Sequence, residues 1–243
     1  MTGNRATYLS RDPISDVNRR DYLRAAGTLG AAATASCLGL LDGDSGDPDV
    51  VLGEPNLDVT LEQHRARRHP VWGERVPDVR VAAIDGSRVA VRDLDRPAFL
   101  TYHFTHCRNT CLLLVSGLVG VQADAVERGN AADVAFLPIT FDPARDDAER
   151  LRAYGERMNV RDTPGWRWLR PESEARARAV VEEGFGVSFE ARDREDEDGY
   201  LFLHSGVIHL VNADGYVERA YRVGQRRPPP VDRMIDHLDR LRG

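Results

Sequence analysis

The apolar positions of this chain fall into short continuous runs and helical stripes, and from residue 79 onward these set out its elements. Residues 79–84 alternate as a half-buried strand does, then meet Asp85-Gly86, a hairpin turn signal, after which 88–94 supplies the returning strand. Residues 98–104, AFLTYHF, read as a buried strand. That run ends in Thr105-His106-Cys107-Arg108-Asn109-Thr110-Cys111, and the period then changes. Val115, Leu118, Val119, Gln122 and Val126 lie at helical spacing, so a helix begins near Asn109 or Thr110, both good cap residues, and runs to about Arg128. Residues 133–141, DVAFLPITF, are nearly all apolar and predict a central buried strand. Strand, helix and strand in this order make a right-handed βαβ unit with parallel strands.

Asp142-Pro143-Ala144-Arg145-Asp146 opens a helix over 146–158, with acidic residues in its first turn as the helix dipole prefers. A short strand at 166–169, a helix over 172–184 and a strand at 186–190 follow. Residues 191–199, ARDREDEDG, read as a charged loop. Residues 201–211 predict one strand, 212–215 a tight turn and 216–223 its hairpin partner. Pro228-Pro229-Pro230 stops that strand, and 231–241 forms a last amphipathic helix. The order is that of an α/β, thioredoxin-like fold. It has a central mixed sheet flanked by helices, an extra N-terminal hairpin and a C-terminal helix.

The residues before this domain have another character. Arg19-Arg20-Asp21-Tyr22-Leu23 is a twin-arginine pattern, followed from 25 to 41 by an uncharged Ala/Gly/Leu stretch that is short for a bilayer span. Thr34-Ala35-Ser36-Cys37 resembles a lipoprotein cleavage box with Cys37 as the lipidated residue; the plainer alternative is an anchor helix in which Cys37 is one small apolar residue. Residues 1–42 are thus expected to be a signal segment that places the protein outside the cytoplasm, anchored at the outer face of the cytoplasmic membrane. Residues 43–77, rich in Asp, Gly, Pro and Arg, predict a flexible linker, and 78–243 the folded domain. The formal charge of −6 argues against a nucleic-acid binder. All 33 basic residues are arginine, which suggests a GC-rich, halophile-like source.

The chemistry concentrates where the first buried strand turns into a helix. Cys107 and Cys111 sit at a helix N-terminus, where unpaired N–H groups and the positive end of the dipole favour a thiolate, and Arg108 adds a fixed charge between them. The same sheet edge carries Asp142-Pro143, and in open α/β sheets sites are built at that edge. The plainer alternative for the pair is a disulfide or two buried thiols. With two thiols in the domain, cysteine number argues against a closed four-ligand zinc site.

These pieces together resemble the Sco/SenC family of copper chaperones used in cytochrome oxidase assembly. FTHCRNTC matches the family's Thr-His-Cys with a second Cys four positions on. FLPITFDPARD matches its strand ending in Asp-Pro-x-Arg-Asp, TPGWRWL its Gly-Trp-x-x-Leu strand, and LHSGVIHLVNADG its His-Ser segment. The resemblance implies one copper, Cu(I) or Cu(II), held by Cys107, Cys111 and His204. It also implies delivery to, or maintenance of the cysteines of, the dinuclear copper site of a cytochrome c oxidase subunit, by a monomeric carrier with no turnover of its own. Soft thiolates suit Cu(I), and imidazole suits both states. Two departures are plain: Arg108 and Leu112 stand where the family has Pro after each Cys, and His103 where Gly is common.

Around that core, Asp142 and Asp146 are either helix-cap acids or groups that hold the ligand loop by hydrogen bonds, and His106 is either a supporting group or a packing residue. His103 and His209 are expected to be packing or surface groups, and Trp166 and Trp168 core. The acidic run 195–198 is a solvated loop or a docking surface for a basic recipient. The alternative function is a thiol–disulfide oxidoreductase with Cys107 and Cys111 as its redox pair, forming a Cys107–Cys111 disulfide when oxidised. Three intervening residues, against the two of redox thioredoxins, favour a ligand pair. A peroxiredoxin-type peroxidase is disfavoured, because Thr105 lies two residues from Cys107 and the Pro-x-x-x-Thr-x-x-Cys frame is absent.

Overall fold

The computed structural model describes residues 49–55, 68–193 and 200–242. The signal segment, Cys37, and residues 194–199 of the charged loop lie outside the described residues.

Four strands form the central sheet: β3 (Ala98–His103), β4 (Ala135–Thr140), β7 (Val207–Val211) and β8 (Val217–Arg222), in the order β4-β3-β7-β8. β3 and β4 are parallel, from Ala98 opposite Ala135 to His103 opposite Thr140, and α1 (Thr110–Glu127) makes the crossover. β7 runs antiparallel to β3, and β8 antiparallel to β7, so the sheet is mixed.

Alternation along the strands divides the core in two. Leu100, Tyr102, Leu137 and Ile139 face one side, with Val180, Val181 and Phe185 from the segment 174–184 and its exit, and Val81 and Val91 from the N-terminal hairpin. Phe99, Phe136, Ile208 and Leu210 face the other, against Leu114 and Leu118 of α1, Tyr154 of α2 (Ala148–Arg157) and Met234 and Leu238 of α4 (Val231–Arg242). On the first face the helical segment begins as α3 (Glu174–Ala177) and widens to a π-turn over Arg178–Gly184.

Several expectations need correction. β4 is the edge of the four-stranded ladder, not a central strand. Its outer side is met by the extended segment 165–169, whose Leu169 N–H donates to the Pro138 carbonyl at 2.9 Å. That position explains Pro138: an edge strand tolerates a residue with no N–H. The run 201–211 is two strands, β6 (Tyr200–His204) and β7, broken at Ser205-Gly206. β6 pairs antiparallel with β5 (Phe189–Asp193) as a separate hairpin, so residues 191–193 of the expected charged loop are strand. The first hairpin is shorter than expected, β1 (Arg80–Ala82) and β2 (Arg88–Ala90), with Gly86 at φ +87° in its turn.

The described parts of 43–77 are attached to the domain. Leu52, Val71 and Val76 are buried, and the buried Glu218 carboxylate accepts the N–H groups of Val51 and Leu52 at 2.8 and 2.9 Å. Trp72 donates its indole N–H to the Leu52 carbonyl at 2.8 Å. Isolated apolar residues without a period leave no linear signal, and here tertiary partners fix them.

Candidate metal centre

β3 delivers the chain to the C-terminal edge of the sheet, where residues 104–109 turn it into α1. Asp146 pins that turn. Its carboxylate accepts the Thr105 N–H at 3.0 Å and the Thr105 hydroxyl at 2.5 Å, and it also takes the Thr140 hydroxyl at 2.6 Å. The helix starts at Thr110, but Asn109 makes no side-chain cap bond. Cys107 serves instead: its sulfur accepts the Cys111 N–H, one of the orphan donors of the first turn, at 3.4 Å.

The third group arrives from the β5–β6 hairpin. His204 ends β6 opposite Phe189, whereas the sequence predicts it near the start of a strand. Its ring packs against Phe104 and Phe141, with centroids 6.1 and 5.0 Å away. Nδ1 lies 3.2 Å from the Ser205 carbonyl and Nε2 lies 3.1 Å from the Cys111 sulfur. A carbonyl can only accept, so Nδ1 carries the proton and Nε2 presents its lone pair. The two sulfurs and the His204 nitrogen all lie within 4.8 Å of one another.

The two thiols are unequal. Both are free; Cys107 is half-buried and Cys111 is buried. The Cys107 pKa is held down to about 4, first by the hydrogen bond from the Cys111 thiol, with the backbone N–H groups of Asn109 and Cys111 acting in the same direction. Burial pushes Cys111 up, and the adjacent Cys107 adds to the shift. One proton is thus shared by the pair and rests on Cys111. The centre opens to solvent through a cleft of about 280 Å³ lined by Phe104, Cys107, Arg108, Phe202, His204 and Gln225 among others.

Asp142 and Asp146 are not caps: Asp147 caps α2, accepting the Arg150 N–H at 2.8 Å. Asp142 reaches the hairpin instead. It accepts the Tyr200 hydroxyl at 2.9 Å and pairs with Arg145 at 2.6 Å. Arg145 in turn lies over the Tyr200 ring, 3.6 Å from its centroid, and donates to the Tyr200 carbonyl at 2.9 Å. One acid therefore holds the turn that carries Cys107, and the other the strand that carries His204. Arg170 ties the segment between them by donating to the carbonyls of Asp146 and Pro143 at 2.9 and 2.7 Å. His106 groups with Asp142 and Asp146, with polar atoms within 4.8 Å, and Nδ1 lies 3.4 Å from the Thr105 hydroxyl.

His103 and His209 are fully buried packing residues. His103 lies against Tyr154 and Trp168, and His209 between the Tyr102 hydroxyl and the Pro70 carbonyl. Trp166 and Trp168 are core. Sequence reasoning missed Thr105, Thr140, Arg145, Arg170 and Tyr200. Only the basic residue inside the Asp-Pro-x-Arg-Asp motif gave a signal for any of them.

Residues 80–241 match the SCO1/SenC family. The human mitochondrial protein SCO2 homolog is 27% identical over 141 residues, 58% of this chain and 51% of that protein, so the chain spans about half the length of the curated relatives it matches. A SCO1/SenC family lipoprotein from Bacillus anthracis is similar in structure, with a TM-score of 0.58 and 22% identity over 73% of this chain and 99% of that one. Arabidopsis thaliana ScoI, crystallised with copper bound, has a TM-score of 0.53 and 22% identity over 69% of this chain and 98% of that one. The fold is therefore that of the thioredoxin-like Sco structures.

Proposed function

The chain belongs to the SCO1/SenC family, and from that premise we propose that it binds one copper ion through Cys107, Cys111 and His204 as cargo for the copper site of a cytochrome oxidase subunit. The observation that carries the reading is the convergence of His204 Nε2 on the thiol pair, 3.1 Å from Cys111 and within 4.8 Å of both sulfurs. Two thiolates and one imidazole fit copper, soft enough for Cu(I) and with nitrogen for Cu(II). The tautomer fixed by Ser205 leaves Nε2 as the ligating atom, and Cys107 is already a thiolate at neutral pH. The copper-bound Arabidopsis neighbour supports the same assignment. His204 sits on a two-stranded hairpin outside the main sheet, so a recipient can draw it away without breaking a strand pairing of that sheet.

The test is metal content of the reduced full chain after exposure to Cu(I) and to Cu(II). One copper per chain is expected, lost in His204→Ala; copper retained by that variant overturns the three-ligand assignment.

The inequality of the thiols favours a second role for the same pair, the reduction of a recipient's disulfide. The Cys107 thiolate attacks one sulfur of that disulfide and expels the other as a thiolate. Cys111, giving up its proton, then attacks the mixed disulfide; two electrons pass to the recipient and a Cys107–Cys111 disulfide remains. Export and anchoring complete the proposal. Arg19-Arg20 and the box ending in Cys37 support them, as does the Bacillus anthracis neighbour's description as a lipoprotein. Mass spectrometry of the membrane-extracted protein would find Cys37 as a lipidated N-terminus; an unmodified Cys37 refutes lipidation.

A further inference from the structure

A second cleft, of about 270 Å³, opens beside the metal centre, and its lining is basic. Arg68, His69 and Arg222 surround it with the hydroxyls of Ser188 and Ser205, and no carboxylate lines it among the described residues. The Arg68 and Arg222 guanidinium groups have no ion-pair or hydrogen-bond partner among those residues. On a chain of net charge −6 with 39 acidic residues, two guanidinium groups with no acidic partner among the described residues run against the average. The neighbouring Glu182 and Glu190 do not offset them, being paired with Arg178 at 3.0 Å and Arg192 at 2.9 Å.

Two glycines build the cleft. A Cβ on Gly186, whose φ is +63°, would lie 1.7 Å from the Arg68 carbonyl oxygen, so the absence of a side chain lets Arg68 pack there. A Cβ on Gly206 would lie 2.2 Å from the Val223 carbonyl oxygen and 2.6 Å from the Thr110 methyl. The turn Ser205-Gly206, which follows His204 directly, is therefore pressed against the first residue of α1. Floor, ligand hairpin and ligand helix meet at one place.

We propose that the Arg68–Arg222 cleft is the docking site for an acidic segment of the protein that exchanges metal or thiol electrons with Cys107 and His204. The proposal rests on the carrier reading above and adds the chemistry of its partner. Paired guanidinium groups recognise carboxylates by charge-assisted, bidentate hydrogen bonds. Leu203, 56% exposed and adjacent to His204, lines an adjoining cleft that shares Ser188 and Ser205 with this one, and supplies an apolar contact beside it. Carboxylates flanked by an apolar side chain are a polypeptide's signature, which favours a protein segment over a lipid headgroup. Steering by the arginines brings the partner to the edge where half-buried Cys107 meets solvent.

The test uses the reduced, metal-free full chain and a fluorescein-labelled hexaglutamate peptide, followed by anisotropy. Binding is expected, weakening as salt rises, and about tenfold weaker in Arg222→Glu and in Arg68→Glu. Arg150→Glu, the same charge change on the exposed face of α2, is expected to bind as the parent does. No peptide binding, equal loss in Arg150→Glu, or binding of phosphatidylglycerol vesicles in place of the peptide overturns the proposal. Copper stoichiometry on the same samples separates the two readings. Peptide bound without copper sinks the carrier reading and leaves the cleft, whereas copper bound without peptide sinks the cleft alone.

Discussion

His204 Nε2 lies 3.1 Å from the sulfur of Cys111, a residue 93 positions earlier in the chain. Two unrelated devices make that approach. The Ser205 carbonyl orients the imidazole by accepting a hydrogen bond from its Nδ1–H, and the rings of Phe104 and Phe141 confine it. A metal-ligating histidine needs its other nitrogen tied in this way to hold tautomer and direction.

Removing the ring separates ligand from redox chemistry. In His204→Ala, copper affinity of the reduced chain is expected to fall by more than about a hundredfold, beyond the cost of losing a supporting group. Exchange with a small dithiol should change little, because it needs only the two sulfurs. Chelator competition and thiol-exchange rates on the same preparation check this. Equal loss of both activities would show that His204 acts through the fold and not as a ligand.

The shared proton gives a pH signature. With Cys107 held to about 4 and Cys111 raised, Cys107 is ionised throughout the neutral range and Cys111 is not. Alkylation of the reduced chain at pH 6 should therefore label Cys107 alone, as peptide mapping would show. Copper loading near neutral pH should release close to one proton per ion, that of Cys111, since ligating sulfurs must be deprotonated. Release of two protons in an unbuffered titration would contradict the assignment.

The contact of Tyr200 with Asp142 should set how firmly the ligand hairpin is held. Tyr200→Phe removes the 2.9 Å hydrogen bond to a buried carboxylate but keeps the ring beneath Arg145. A bond of this kind contributes about 1.5–3 kcal/mol. The loss is expected to appear as faster copper release, with stoichiometry unchanged. Arg145→Ala, which also strips Asp142 of its ion pair, should release copper faster still. Release rates equal to the parent's in both variants would mean the hairpin is held by its aromatic packing alone.

What the sequence made legible, and what it hid, follows from the range of the interactions. β3, β4 and the start of α1 are local patterns, an apolar run or a change of period, and they stand where the spacing places them. The thiol pair is local too. His204 became a candidate only through family resemblance, because nothing near Leu203-His204-Ser205 distinguishes a ligand from a surface histidine. The break at Ser205-Gly206 was hidden inside one apolar run, and the close approach of Gly206 to the Val223 carbonyl leaves no mark in that run beyond the glycine itself. Thr105, Thr140 and Tyr200 matter because of acids 41, 6 and 58 positions away, and their residue types carry no mark of it.

Asp146 should leave its trace in stability. Burial raises its pKa from 3.8 to about 6, against the donors Thr105 and Thr140, which lower it. Between those two values the folded chain keeps a proton that the unfolded chain has lost, so this group makes stability fall as pH rises from about 4 to 6. The full effect is roughly 3 kcal/mol, since each tenfold change in proton affinity is worth about 1.4 kcal/mol. His103 and His209, lowered to about 3 by burial, act with the opposite sign, because the unfolded chain binds their protons first. The parent's net slope is thus a sum, and only a comparison isolates Asp146. Asp146→Asn keeps an acceptor for Thr105 but has no proton to lose. In urea unfolding of the reduced, metal-free chain, the variant is expected to gain stability relative to the parent as pH rises from 4 to 6, and to hold a constant difference above that. A difference that stays flat across the window would show that Asp146 is ionised throughout it, held so by its three donors.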